Sequence, residues 1–222
     1  MEYLDIEAAC KKIGAPPTRN VVDALLYTLP VIYDPNTQTA VSDSAAIARY
    51  LDRTYPAAGP PLIPAELDAL HGAFEAAFAR VTFGAGDIVR LSVPAMWAVL
   101  AENPRSAEYV RRTREAYFGP LEELAPAGSE KCRVHWEGAR RSFGTIASWL
   151  GEDAGGERLL FMGGDRICYA DVIVAALLKN LQKVLPAEEW QEVMAWDGGR
   201  WERFMDVFKP YEAEDVGAPM EL

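Results

Sequence analysis

The chain has 222 residues, half of them apolar, which is enough for one sizeable core or two compact lobes. Its net charge of -11 opposes binding to a phosphate backbone, so no nucleic-acid partner is expected. The longest apolar stretches, such as residues 172–178, fall far short of the roughly 20 residues that span a bilayer, and no charged-then-apolar signal segment opens the chain. No membrane partner is expected, and the cytoplasm is the expected location.

In chain order, the run Thr28-Leu29-Pro30-Val31-Ile32-Tyr33-Asp34 and the segment Val41 to Leu51 read as strand, turn, strand and helix. Pro30 cannot donate to a ladder, so it belongs at the first residue of a strand or in a turn, where a cis bond is accessible. The Leu29 backbone is then left outside the pairing. Asp34-Pro35-Asn36-Thr37 is a turn signal, and Asp43-Ser44 stands where the N–H groups of the next helix point outward. Such a corner suits an extended, peptide-like ligand, although Asp43-Ser44 alone also reads as a plain helix cap.

The helix after Ser44 places Ile47, Tyr50 and Leu51 on one face and ends at Tyr55-Pro56. Residues 57–64 form a stiff, proline-rich connector, which divides the chain into a domain at 1–56, a linker at 57–64 and a helical domain at 65–222. An apolar stripe runs through Leu67, Leu70, Phe74, Phe78 and Val81, breaks near residues 83–86, and resumes at Ile88, Leu91, Met96, Val99 and Leu100. Asn103 or Ser106 caps the next helix, which Gly119-Pro120 disturbs. Ser129 to Leu150 is a long amphipathic stretch with Val134, Gly138, Phe143, Ile146 and Trp149 facing inward and Gly151 as its stop. Residues 168–185 form the most apolar helix, expected at the centre of a bundle with Val172, Ile173, Ala176 and Leu177 inward. Trp190, Trp196, Trp201 and Phe204 mark shorter helices, and the acidic tail from Glu212 is expected to be loose.

Leu29-Pro30 followed by Asp43-Ser44 resembles the glutathione-binding half of glutathione S-transferases. In that family the residue before a cis-proline pairs its backbone with the cysteinyl part of glutathione. An acidic or amide residue followed by serine holds the γ-glutamyl carboxylate and amine. The resemblance assigns these roles to Leu29, Pro30, Asp43 and Ser44, with Asp-Ser where many members carry Glu-Ser or Gln-Ser. Residues 7–15 and 27–34 look like the basidiomycete fungal, etherase-like members.

The resemblance implies a thioredoxin-like α/β N-terminal domain followed by an all-α helical bundle, glutathione as co-substrate, and a homodimer. The implied activity is conjugation of glutathione to small apolar electrophiles or cleavage of aromatic ethers. The alternative is a non-catalytic scaffold or ligand-binding relative. The family builds its electrophile pocket from the first helices after the linker, which points to Val93, Met96, Trp97 and Tyr109. A complete member opens with a strand, a loop bearing the thiol-activating Ser, Cys or Tyr, and a helix, before anything resembling Glu2-Tyr3-Leu4. This chain is therefore expected to be truncated, with a damaged sheet and no assigned catalytic residue. The apolar run Val21 to Leu26 departs from the polar stretch expected there and is a candidate substitute strand.

Residues 161–171 resemble the loop and capping box before the central helix of the family's second domain. Asp171 fits that box, whereas Cys168 stands where Ser or Thr is usual, so a weaker cap is expected. Cys10, Cys132 and Cys168 are odd in number and lack a C-x-x-C pair, which indicates neither a disulfide framework nor a zinc site and suits reducing surroundings. Cys10 reads as an ordinary buried cysteine. His71 and His135 show no triad or metal-ligand pattern, so surface or structural roles and no metal are expected. Arg111, Arg112 and Arg114, like Arg140 and Arg141, read as solvated faces pairing with acids, one of them able to reach a ligand carboxylate.

Overall fold

The computed structural model describes residues 1–21, 24–153, 156–162 and 165–212. These divide into two compact units, residues 1–65 and residues from 66 onward.

The first unit opens with a short helical turn and α1 (Ile6–Lys12), whose Cys10 is buried. A hairpin follows, β1 (Arg19–Val21) against β2 (Ala24–Leu26), with Arg19 opposite Leu26. Among the described residues the apolar run at 21–26 supplies parts of two strands that pair with each other; Val22 and Asp23 lie outside the described residues. β3 (Val31–Asp34) and β4 (Thr39–Ser42) make a second antiparallel pair, in register from Val31 opposite Ser42 to Asp34 opposite Thr39. Their connection is the turn expected from the sequence, closed by the Asn36 N–H donating to Asp34 Oδ1 at 2.9 Å.

Helix α2 (Ser44–Thr54) covers this hairpin with Ala45, Ile47 and Ala48, while Leu51 is 40 % exposed, contrary to the inward face expected for it. Tyr50 is also not simply packed inward: its hydroxyl donates to Asp34 Oδ2 at 2.6 Å, as does that of Tyr55. Past the helix, Asp52 accepts the N–H groups of Leu62 and Ile63 at 3.0 and 2.8 Å, which fixes the proline-rich connector.

The second unit is helical: α3 (Asp68–Ala79), a π-helical turn (Arg80–Gly84), α4 (Asp87–Val99), α5 (Pro104–Phe118), α6 (Glu130–Leu150), α7 (Tyr169–Val184) and α8 (Ala187–Phe208). Between α6 and α7 a minimal strand pair, β5 (Glu152–Asp153) with β6 (Gly156–Glu157), turns the chain. The chain bends by 69° between the α3 segment and α4. That bend is locked from α6. Ser142 Oγ donates to Val81 O at 3.0 Å, and Asp87 Oδ1 meets His135 Nδ1 at 2.8 Å. A Cβ on Gly138 would lie 2.0 Å from Asp87 Oδ2, so only glycine admits this approach. His135 therefore holds two helices together, and His71 is buried within α3.

The main core joins α3, α4, α6, α7 and α8 around Phe143, Trp201 and Phe204, all fully buried. Phe143 meets Trp196 and Trp201 with ring centroids 5.6 and 5.1 Å apart. Such pairs add about 0.5–1.5 kcal/mol each beyond simple area burial. Helix α7 is central as expected, but its inward residues are Val174, Ala175, Leu177 and Leu178, with Val172 and Ile173 partly buried and Ala176 exposed. Leu70, Val99 and Val134 are likewise 66 %, 56 % and 43 % exposed. α5 starts with Pro104 at its first position, where the missing N–H costs nothing, and ends at Gly119 with φ 82°. Ser129 Oγ accepts the Cys132 N–H at 3.1 Å to cap α6. α8 is interrupted at Trp196, after which Asp197, Gly198 and Gly199 all take positive φ. The Trp201 indole N–H donates to Asp197 Oδ2 at 2.8 Å and secures that turn. The tail from 213 onward lies outside the described residues.

Candidate functional site

The β3–β4 register decides which residues meet. Its terminal pair is Val31 with Ser42, so Leu29-Pro30 and Asp43-Ser44 leave the same end of one ladder. The Leu29-Pro30 bond is cis. Leu29 lies outside both ladders and its side chain is 51 % exposed. The corner is braced from behind. Thr28 Oγ1 donates to Thr18 Oγ1 at 2.9 Å, the Thr28 N–H reaches the same oxygen at 3.2 Å, and buried Ser42 donates to Pro16 O at 2.6 Å.

Asp43 has φ 80°, a conformation that non-glycine residues rarely adopt. Its Oδ1 accepts the N–H groups of Ala45 and Ala46 at 3.1 and 3.0 Å, which satisfies two of the free donors of α2. Asp43 is thus a helix cap, and its single capping oxygen leaves Oδ2 with no bond among the described residues. Ser44, at the first helical position, is exposed, and its hydroxyl has no partner among the described residues. The chemistry on offer is an unpaired stretch of main chain, a hydroxyl and helix N-terminus for a carboxylate, and a carboxylate oxygen for an ammonium group.

At the far end of the same ladder Asp34 is buried under two phenols, whose hydrogen bonds hold its carboxyl down at about 2. The turn that carries Asp34 was legible in the sequence. Its tyrosines, 16 and 21 residues away, had no local signal.

None of the cysteines is placed as a nucleophile. Burial pushes up the thiols of Cys10 and Cys132, and Cys168 to about 12. Cys168 instead completes a capping box with Asp171, which accepts the Cys168 and Phe161 N–H groups at 2.8 and 2.9 Å.

In the helical unit, Val93 is buried in a satellite core with Leu121 and Leu124, and Trp97 packs against it. Met96 and Tyr109 are partly buried on α4 and α5. Sequence reasoning missed the group that lies on Trp97. The Arg111 guanidinium carbon sits 4.2 Å from the ring centroid, and Arg111 also pairs with Glu115 and Glu122.

Comparison with known proteins agrees with this architecture. Residues 69–211 match the family described as glutathione S-transferase, C-terminal domain. Among solved structures, a glutathione S-transferase of Ceriporiopsis subvermispora in complex with glutathione is 45% identical, with a TM-score of 0.88 over 96% of this chain and 83% of that one. A second from the same fungus, also in complex with glutathione, is 43% identical, with a TM-score of 0.85 over 95% of this chain and 83% of that one. A glutathione transferase of Phanerochaete chrysosporium is 41% identical, with a TM-score of 0.83 over 97% and 83%. No curated protein matches the chain. The chain belongs to the glutathione S-transferase family, with a thioredoxin-like N-terminal lobe and the family's helical lobe.

Proposed function

We propose that this protein binds glutathione at the corner formed by Leu29, Pro30, Asp43 and Ser44, and uses it as co-substrate toward small apolar electrophiles or aromatic ethers. The observation that carries this reading is the register of β3 with β4, which brings the cis Leu29-Pro30 bond and Asp43-Ser44 to one end of one ladder. The Leu29 main chain pairs with the cysteinyl part of the tripeptide. The Ser44 hydroxyl donates to the γ-glutamyl carboxylate, and Asp43 Oδ2 accepts from its ammonium group. Two solved relatives with glutathione bound support the choice of ligand over a ligand-free scaffold role. The second substrate sits on α4 and α5, at Val93, Met96, Trp97 and Tyr109. No residue of this chain is assigned to activating the thiol. Free cysteines support action in the reducing cytoplasm, and the family resemblance supports a homodimer.

Titration calorimetry with glutathione tests the site. Ser44→Ala weakens binding by about 1–3 kcal/mol, the cost of leaving a charged partner without its hydrogen bond. Glutathione affinity indifferent to Ser44 overturns the assignment. Sedimentation equilibrium tests the dimer.

A further inference from the structure

The helix face that we assign to the second substrate carries a cation on its aromatic ring. Arg111 lies over Trp97 at 4.2 Å from the centroid, and Trp97 is itself seated on the satellite core of Val93, Leu121 and Leu124. A guanidinium held over an indole ring is kept in place while its N–H groups remain able to reach acceptors. Two carboxylates use that edge, and they differ in kind. Glu115 Oε1 accepts from Arg111 Nη1 at 2.8 Å and from the Leu121 N–H at 3.3 Å, so it also closes the end of α5. Glu122 is 60 % exposed and its carboxylate makes its side-chain hydrogen bonds to Arg111.

We propose that Trp97 and Arg111 form a recognition pair for an aromatic carboxylate, with Glu122 standing in for the ligand's carboxylate when the site is empty. This names the substrate class of the second site and rests on the reading of α4 and α5 given above. The ring of the ligand packs against the part of Trp97 that Arg111 and the satellite core leave exposed, and its carboxylate takes the guanidinium edge that Glu122 vacates. An exposed ion pair contributes little, so the exchange costs little, while the cation–π contact with Trp97 keeps the guanidinium positioned. Arg112 and Arg114 add to the local attraction for an anion, because neither has an acidic partner among the described residues.

The experiment compares 2-naphthoate with the neutral 2-naphthamide, two ligands of equal ring size, by titration calorimetry on the intact chain. The carboxylate binds about tenfold more tightly than the amide, on the scale of one hydrogen bond to a charged group. Arg111→Gln removes that preference. Glu122→Gln, a change at an exposed position, raises naphthoate affinity about threefold by removing the competing carboxylate and leaves naphthamide unmoved. A purely structural role for the pair shifts thermal stability in Glu122→Gln without changing naphthoate affinity, and that result overturns the proposal, as does equal binding of the two compounds by the wild-type chain. Glutathione is titrated in parallel. Discrimination between naphthoate and naphthamide without any glutathione binding sinks the proposed function and upholds the recognition pair; glutathione binding without discrimination does the reverse.

Discussion

The two units hold themselves together by different means. In residues 1–65 the buried apolar side chains are few and mostly small, Ala15, Ala45 and Ala48 with Cys10, Ile47 and Ile63, and the turns are fixed by polar side chains: Asp34 under Tyr50 and Tyr55, Asp52 on the connector amides, Thr18 with Thr28. The helical unit rests on a contiguous core of large residues, with Phe143, Trp201 and Phe204 fully enclosed. Apolar burial is non-directional and scales with area, whereas a polar clasp works only while its geometry and charge state persist. The unit with the candidate glutathione corner therefore depends more on polar clasps, and so on pH and single polar changes, than the helical unit does.

The largest expected break in this contrast is at Phe143. Truncation to alanine leaves a cavity among Trp196, Trp201 and α7 and lowers unfolding free energy by about 3–5 kcal/mol, read as a drop in the denaturant midpoint. Hydrogen exchange sharpens the same point: amides of 174–178 are among the slowest and those of the β1–β2 hairpin among the fastest. Slow exchange in the hairpin would put the stability in the wrong unit.

The next effect is the acid limb of stability. The Asp34 carboxyl is held at about 2, below its ordinary value of about 3.9, so its contribution is fully present above about pH 4 and is lost as pH falls toward 2. Asp171 behaves in the opposite sense, because burial raises its carboxyl. The unfolded chain releases that proton first, and the group's contribution falls as pH rises through its folded value. Acid titration followed by circular dichroism separates the two: Asp34→Asn flattens the loss between about pH 4 and 2. An unchanged acid limb in Asp34→Asn would show that the clasp does not govern the first unit.

Cys168→Ser gives the smallest change. A hydroxyl is a better acceptor for the Asp171 N–H than sulfur and a better donor to the Asp171 carboxylate, so the denaturant midpoint rises by the equivalent of about 0.5–1 kcal/mol. A lower midpoint would mean that the buried sulfur matters more as packing than as a cap.

What could be read from the sequence follows the range of the interactions concerned. Turn and stop chemistry acts within a few residues, so the Asp34 turn, the cis-proline corner, the disturbance at Gly119 and the stop at Gly151 are legible, while the Ser129 cap emerges only in the structure. The inward side of α7 is not, because a helix apolar on most sides has no strong stripe to orient it, and its buried face falls on Val174 and Ala175 with Ala176 exposed. Leu70, Val99 and Val134 fit an apolar period yet remain exposed. The β1–β2 pairing depended on which strand lay alongside, and the Asp87–His135 contact joins residues 48 positions apart. At the candidate site the motif was visible, while the left-handed Asp43 and the cation over Trp97 were set by geometry that no local pattern records.

The left-handed turn in α8 carries a consequence for aromatic placement. Trp196 and Trp201 are five residues apart, and on an unbroken helix that spacing would point them about 140° away from each other. Both nevertheless reach Phe143, from opposite sides of the break. Residues 197–199 thus work as a rotational offset, resetting the helix phase so that one ring of α6 is gripped twice by the same strand of sequence. The two glycines supply the reversed winding, and Asp197 stays in it by accepting the Trp201 indole N–H. Insertion or deletion of a single residue in this segment would rotate one tryptophan out of the core by about 100° while leaving composition and helix propensity almost untouched.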